Sequence, residues 1–416
     1  MRIGILCPAP TGHLSPMTAL ASELSHRGHK VTVFAIPDTE GKVRSRGLNF
    51  CAIGEKDWPL GSLDTALRPL GDLSGLAVLK YTVELYRRMM VSFCKDAPGA
   101  MESIGIEALV TDQTERVSGT IAERLGLPFV TICNAGILNR DISIPPFFTS
   151  WKYKTGLRAR LRNQFGYQAY DLLTKPLQKT LNSYRNQWGL PPHHILDESF
   201  SPLAQISQQI PGFDFPRSLP THFHYVGPLR DKSALTNFPW EKLEERPLIY
   251  ASLGTLQNRK KEIFQCIAEA CSGLDAQLVL SHGGGMNQEE SKKLPGNPLV
   301  VPYAPQVELL AKASLCITHA GLNTVLDSLS NGVPMVAIPI THEQPGLAAR
   351  VKWLGVGDFV PPKVLSASIL RETVKGVLSE AQYTEKARLL ETEIRQAGGV
   401  VQAANIIEQA FSMKRL

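Results

Sequence analysis

No apolar run in this 416-residue chain reaches the roughly 18 residues that a membrane-spanning helix needs. No Cys-x-x-Cys pair occurs among the seven cysteines, Cys7, Cys51, Cys94, Cys133, Cys266, Cys271 and Cys316, so metal-finger and dithiol redox chemistry are not indicated. An odd number of thiols set mostly in apolar runs predicts buried free cysteines in a reducing compartment. The first residues, Met-Arg and then IGILC, carry too short an apolar core for a signal peptide. The expectation is a cytoplasmic protein. A charge excess is missing too: 44 Lys and Arg against 38 Asp and Glu leave a formal +6, too weak over so large a surface to argue for nucleic acid. Short-period repeats and low-complexity segments are absent, which excludes solenoids and tails.

What remains is an ordinary globular composition, 43% hydrophobic and 20% charged, over a length that calls for two cores. The opening 2–37 reads strand, loop, helix, strand, with Ser15 as helix N-cap and Pro16 as first helical residue. Leu79, Val83, Tyr86, Met90 and Phe93 recur at helical spacing and predict an amphipathic helix over 76–93. EALVTD, a helix and PFVTICN form a second βαβ unit, with strands apolar throughout as expected when both sheet faces are covered. The proline- and aromatic-rich 137–151 reads as a functional loop, and 157–188 as helical. From 246 the strand, glycine loop and helix pattern restarts. The predicted fold is α/β with two doubly wound Rossmann-like domains facing a cleft: 1–228, a polar linker 229–245, 246–390, and a last helical segment 391–416.

The most constraining stretch is 301–350. LCIT reads as a buried strand, HAG as a turn and NTVLDSLSNG as a helix. Free N–H groups and the positive end of a helix dipole would then face whatever lies beyond the strand, and a phosphate suits that position. His319, Asn323 and Thr324 add donors, and Asp327 sits one turn on, where a carboxylate can accept two ribose hydroxyls. Taken alone, HAGLN is also compatible with a plain tight turn. Yet YAPQ and THEQPG are polar loops after neighbouring apolar runs, so three loops would meet at one sheet edge.

These fifty residues resemble the nucleotide-sugar signature of glycosyltransferase family 1, the UDP-sugar-dependent transferases of GT-B fold. The resemblance extends over most of the chain, toward bacterial macrolide and carotenoid (zeaxanthin-type) glucosyltransferases. It implies that Tyr303 stacks on uracil while the Ala304 backbone pairs with the base edge. Gln306 and Asp327 would hold the ribose; Ser252, Thr255, His319, Gly321, Asn323 and Thr324 the diphosphate; Glu343 and Gln344 the sugar hydroxyls. Plant members carry Trp where this chain has Tyr303 and Leu322, Glu at Asp327 and Asp at Glu343, which leaves the sugar and the UDP-versus-dTDP choice open. The resemblance also makes His13, in TGHLSP after the first strand, the catalytic base, with Asp112 holding its imidazole. On residue type alone, a turn histidine and a capping aspartate are equally compatible with those positions. Trp58, Asn134, Pro146, Phe147 and Phe148 are the expected acceptor contacts.

The implied reaction is inverting transfer of a hexose, glucose first, from a UDP-sugar to a hydroxyl of an apolar or aromatic acceptor. A sugar-nucleotide epimerase and a non-catalytic nucleotide-sugar binder are the alternatives. No Asp-x-Asp occurs, so no metal and no cofactor are expected. Finally, 151–165 holds Lys152, Lys154, Arg158, Arg160 and Arg162 with no acidic residue, and Leu157, Leu161 and Phe165 every fourth position. One reading is an amphipathic helix packed on its own domain; the other is a peripheral membrane contact with Trp151 and Tyr153 at headgroup level.

Overall fold

The computed structural model describes residues 1–73, 75–231 and 237–413. Its first half places β1 (Arg2–Leu6), β2 (Lys30–Ala35), β3 (Asn49–Ala52), β4 (Ala108–Asp112), β5 (Phe129–Cys133), β6 (Gln205–Ser207) and β7 (Phe223–Tyr225) in one sheet, ordered β3-β2-β1-β4-β5-β6-β7. The second half orders β8 (Leu248–Ser252), β9 (Gln277–Ser281), β10 (Leu299–Val301), β11 (Ala313–Thr318), β12 (Met335–Ala337) and β13 (Gly357–Phe359) as β10-β9-β8-β11-β12-β13. All these pairings are parallel. Ile, Val and Leu fill the central strands, and β4, β5, β8 and β9 are buried at every residue because helices cover both faces. These are two Rossmann-like domains.

The helices of the first half are α1 (Thr11–His26), α2 (Glu40–Arg44), α3 (Ser62–Asp72), α4 (Gly75–Ile104), α5 (Ser118–Arg124) and α6 (Leu157–Gln187). Those of the second are α7 (Lys261–Cys271), α8 (Gln288–Lys292), α9 (Gln306–Leu310), α10 (Leu322–Ser330), α11 (Gln344–Leu354), α12 (Ala367–Ser379), α13 (Ala381–Gln396) and α14 (Gly399–Met413). α13 packs on α10, burying Ala387 and Ile394 in the second core. The chain then turns through Gly398 and Gly399 into α14, which packs on α1 and adds Ala403, Ala404, Ile407 and Phe411 to the first core. The crossing helix therefore starts at Gly399, eight residues later than 391. Of the linker expected at 229–245, residues 232–236 lie outside the described residues.

Two helix limits differ from the sequence reading. α4 runs on past 93 to Ile104, because Ala97 and Met101 continue its buried face. α1 starts at Thr11, not after Ser15: the Pro10 carbonyl accepts the His13 and Leu14 N–H groups, so Pro16 falls inside the helix. A proline there has no N–H for the carbonyl four residues earlier, that of Gly12. The freed Gly12 carbonyl accepts instead from Asn323 Nδ2 of the other domain, at 2.8 Å.

Candidate active site

In each sheet the strand order reverses once near its centre, between β1 and β4 and between β8 and β11. Crevices outside the carboxyl ends of such strands are the usual ligand sites of open α/β sheets. Here the two crevices face each other and merge into one cleft of about 1120 Å³.

At the first reversal, His13 lies in the opening turn of α1 and Asp112 ends β4. His13 Nδ1 and Asp112 Oδ2 are 2.8 Å apart. The carboxylate is fully covered, and its Oδ2 also accepts from Asn134 Nδ2, while Oδ1 accepts the Thr114 N–H and hydroxyl. So many donors fix an ionised acceptor, which forces the proton of His13 onto Nδ1 and turns the Nε2 lone pair toward the cleft. Burial opposes a charged ring at His13, but the Asp112 charge and hydrogen bond, helped by Glu343 and Glu115, outweigh it and raise its pKa. Burial likewise opposes the Asp112 charge, and His13, Thr114 and Asn134 override it to hold the carboxyl below its usual range. Asp112 is thus behind the lining, not part of it. Glu115 escaped the sequence reading: neither carboxyl oxygen has a partner, and burial together with Asp112 pushes it up to about 8.

Above His13 the cleft wall is apolar, from Leu79, Val83, Tyr86 and Met90 of α4 and Leu173 and Leu177 of α6. Phe147 and Phe148 join it, with Tyr170 stacked on Phe148 at 5.5 Å and edge-on to Phe147 at 5.4 Å. Asn134 lines the cleft too, with its amide nitrogen committed to Asp112. Two expected acceptor contacts lie elsewhere. Trp58 is a core residue, its indole N–H on Ser92 Oγ and Arg88 over its ring, because the turn that carries it folds under α4. Pro146 is buried beside Gly166 of α6 and forms no part of the lining.

The opposite wall carries Ser252, Thr255, Tyr303, Ala304, Gln306, His319, Gly321, Asn323, Thr324, Asp327, Glu343 and Gln344, all in the lining. Tyr303 is 57% exposed, a free ring face at the cleft mouth. The N-terminus of α10 begins at Gly321 with no side-chain cap, so its first N–H groups face the cleft uncovered. His319 is wedged between Gly254 and Gly321, where a Cβ would stand 2.8 and 2.5 Å from its ring; Gly254 also has a φ of +70°. Burial drives this imidazole down to about 4, only partly opposed by the Ser252 backbone, so it is uncharged at neutrality. Backbone strain gathers here: Ala320 and His342 adopt left-handed φ values of 63° and 56°. Gln344 Oε1 accepts the N–H groups of Ile340 and Thr341, which shapes the loop carrying Glu343.

Several of these side chains are already engaged. Asp327 accepts from Arg230 Nε at 2.8 Å and from Gln306 Nε2 at 2.7 Å, and Asn323 bridges to Gly12 and Gln208. Arg230 was missed because it sits in what reads as linker; it also reaches Gln208 and so ties both domains to α10. Thr82 Oγ1 and His342 Nε2, 3.3 Å apart, make a second cross-cleft contact. Gly346, at the start of α11, comes so near the Phe147 carbonyl that a Cβ would stand 1.9 Å from it. Among the described residues no group of three or more His, Cys, Asp or Glu could hold a metal ion, and no helix is long and apolar enough to cross a membrane.

Comparison with known proteins agrees with this arrangement. Zeaxanthin glucosyltransferase of Pantoea ananas is 34% identical over 411 residues, covering 98% of this chain and 95% of the relative. The enzyme of the same description from Pseudescherichia vulneris is 34% identical over 99% of this chain and 98% of its own length. Among solved structures, a glycotransferase of kitacinnamycin superposes with TM-score 0.78 at 22% identity, covering 98% of both chains, and the calicheamicin glycosyltransferase CalG4 with 0.75 at 23%, covering 99% of both. These neighbours have the GT-B architecture of two facing Rossmann-like domains found here. Residues 144–395 match the family model described as UDP-glucoronosyl and UDP-glucosyl transferase. With that match added to full-length relatives, the chain is a glycosyltransferase of the UDP-glucoronosyl and UDP-glucosyl transferase family.

Proposed function

We propose that the enzyme transfers a hexose, glucose foremost, from a UDP-sugar to a hydroxyl of an apolar acceptor with inversion at the anomeric carbon. The observation that carries this reading is the 2.8 Å His13–Asp112 pair, set between an apolar wall and an uncapped helix N-terminus. His13 Nε2 takes the proton of the acceptor hydroxyl as its oxygen attacks the anomeric carbon from the face opposite the departing UDP. Asp112 stabilises the imidazolium that forms. Charge growing on the diphosphate meets the first N–H groups of α10, the uncharged His319 and the Thr324 hydroxyl. Tyr303 offers its exposed face to the base, and Glu343 and Gln344 stand where sugar hydroxyls would lie. Ribose hydroxyls then share Asp327 with Arg230 and Gln306. Water is kept from the reacting oxygen by the apolar wall of α4 and α6, which gives that wall a use that neither an epimerase nor a simple binder has.

The relatives act, by their names, on zeaxanthin, and a carotenoid hydroxyl is the first acceptor to test. Incubation with UDP-glucose and a panel of hydroxylated carotenoids, polyphenols and macrolides, with dTDP-glucose alongside, is read by mass spectrometry and by the anomeric coupling of the product. A β-glucoside is expected. An α-linked product, or epimerised donor without transfer, overturns the proposal.

A further inference from the structure

The helix α6 that walls the cleft has a second face with no partner. Its buried residues, among them Ala159, Asn163, Gly166, Thr174, Leu177 and Leu181, hold it to the domain. On the opposite side Leu157, Leu161, Phe165 and Leu172 are 73, 46, 69 and 74% exposed. At 3.6 residues per turn these four fall within about 80° of one another. The apolar face of this segment therefore points outward, the reverse of an amphipathic helix packed on its own domain. Leu173, next to Leu172, lines the cleft, as does Leu76 at the start of α4, itself an exposed leucine.

Charge accompanies the stripe. Lys152, Lys154, Arg158 and Arg160 are exposed and form no ion pair among the described residues, and no acidic residue lies in 151–165. The fifth cation, Arg162, is engaged: it lies over the Trp151 ring at 5.0 Å and donates to the Lys152 carbonyl and Asn163. Trp151 and Tyr153 are not headgroup anchors either. Trp151 packs over Gly166, and Tyr153 stacks on Phe215 at 5.1 Å and meets Trp353 edge-on.

We propose that this leucine and phenylalanine stripe, with its four free cations, is a docking surface for an anionic lipid bilayer. A helix lying in the interface with apolar residues down and Lys or Arg at its margin has the composition such binding requires. Docking there sets the cleft mouth at Leu76 and Leu173 against the bilayer, where apolar acceptors are dissolved. The surface stands or falls separately from the transfer reaction, since vesicle binding needs neither donor nor acceptor.

The test is co-sedimentation of the full chain with phosphatidylglycerol-rich vesicles and with pure phosphatidylcholine vesicles at about 0.1 M salt. Binding to the anionic vesicles is expected, at least roughly tenfold weaker on the neutral ones and weakened by added salt. K152Q/K154Q/R158Q/R160Q should lower partitioning by roughly 10²-fold, and L157S/L161S/F165S by at least about tenfold. Unchanged unfolding midpoints verify that both variants fold. Negligible binding to either vesicle, or binding that both variants retain, overturns the proposal. A concentration-dependent dimer that L157S/L161S/F165S abolishes, without vesicle binding, overturns it in favour of a second copy of this chain.

Discussion

His13 and His319 stand near the carboxyl ends of β1 and β11, each beside the reversal point of its own sheet, and the protein treats their charge in opposite ways. His13 rests on a covered carboxylate that raises its pKa. His319 is boxed between two glycines with no acid beside it, and burial alone takes it down to about 4. The same side chain on the same topology thus has its pKa raised in one domain and lowered in the other. What differs is the neighbour: a carboxylate at the end of β4 in the first sheet, Thr318 and bare glycine backbone in the second. In the proposed roles, a general base needs a partner for the charge it acquires, whereas a diphosphate ligand must not leave a fixed cation uncompensated when the nucleotide departs.

The sharpest way to separate the two roles is to remove each ring. His13→Ala is expected to lower kcat by about 10²- to 10⁴-fold, while calorimetry shows UDP affinity within a factor of about two of the parent. Normal turnover with an ordinary alcohol acceptor would deny His13 the role of base. His319→Ala should do the converse: UDP affinity falls by roughly 10- to 10²-fold, the range of a hydrogen bond to a charged group. A variant that binds UDP normally would confine His319 to packing between its glycines.

Breaking the comparison from the carboxylate side gives a smaller effect with a sign of its own. In Asp112→Asn the imidazole keeps its place but loses the charge that overcame its burial, so its pKa drops below the ordinary histidine value. The acid limb of kcat/KM, expected above pH 6.5 in the parent because the His13 pKa is raised, should move below it. The rate on the plateau should fall by about tenfold or more as the imidazolium loses its support. An unmoved limb with a lowered unfolding midpoint would make Asp112 a structural cap.

The two halves also differ in how much of them could be read from residues alone. Apart from Ser252 and Thr255, the wall proposed for the nucleotide is contiguous in sequence: Tyr303 to Gln344 span three successive strand-to-loop junctions, and all the residues expected there line the cleft. The wall proposed for the acceptor is assembled from α4, α6 and the 134–148 loop, and its membership depends on how two long helices lean together. There Trp58 proved a core residue, although aromatic residues near a loop read as a ligand wall. Ser15-Pro16 has the form of a helix start, but Pro10 begins the helix earlier and places His13 in its first turn. Arg230, Thr82 and His342 come to the cleft by tertiary packing, and no local pattern announces them. The spacing of Leu157, Leu161 and Phe165 gave the right face of α6 but not its direction, because periodicity is blind to which side the rest of the protein occupies.

The smallest expected effect is none at all. If the second domain handles phosphate charge with its own donors, chelation by EDTA should leave kcat and KM for the UDP-sugar unchanged. The physical ground is the first turn of α10. Gly321 offers no side chain to cap it, Val325 is the first residue whose N–H reaches back to Gly321, and the three preceding N–H groups stay free for an anion. An uncapped helix end in a partly buried cleft is costly to leave without a partner, and an oxyanion answers that need directly. Asp327 already accepts from Arg230 and Gln306, Glu343 lies toward His13, and among the described residues no group of three or more His, Cys, Asp or Glu could hold a metal ion. Loss of turnover in EDTA with recovery on adding magnesium would overturn this division, and would require the leaving diphosphate to be neutralised by an ion and not by the helix. Unchanged rates in EDTA, together with weaker UDP binding in His319→Ala, would assign the charge to the protein's own dipoles.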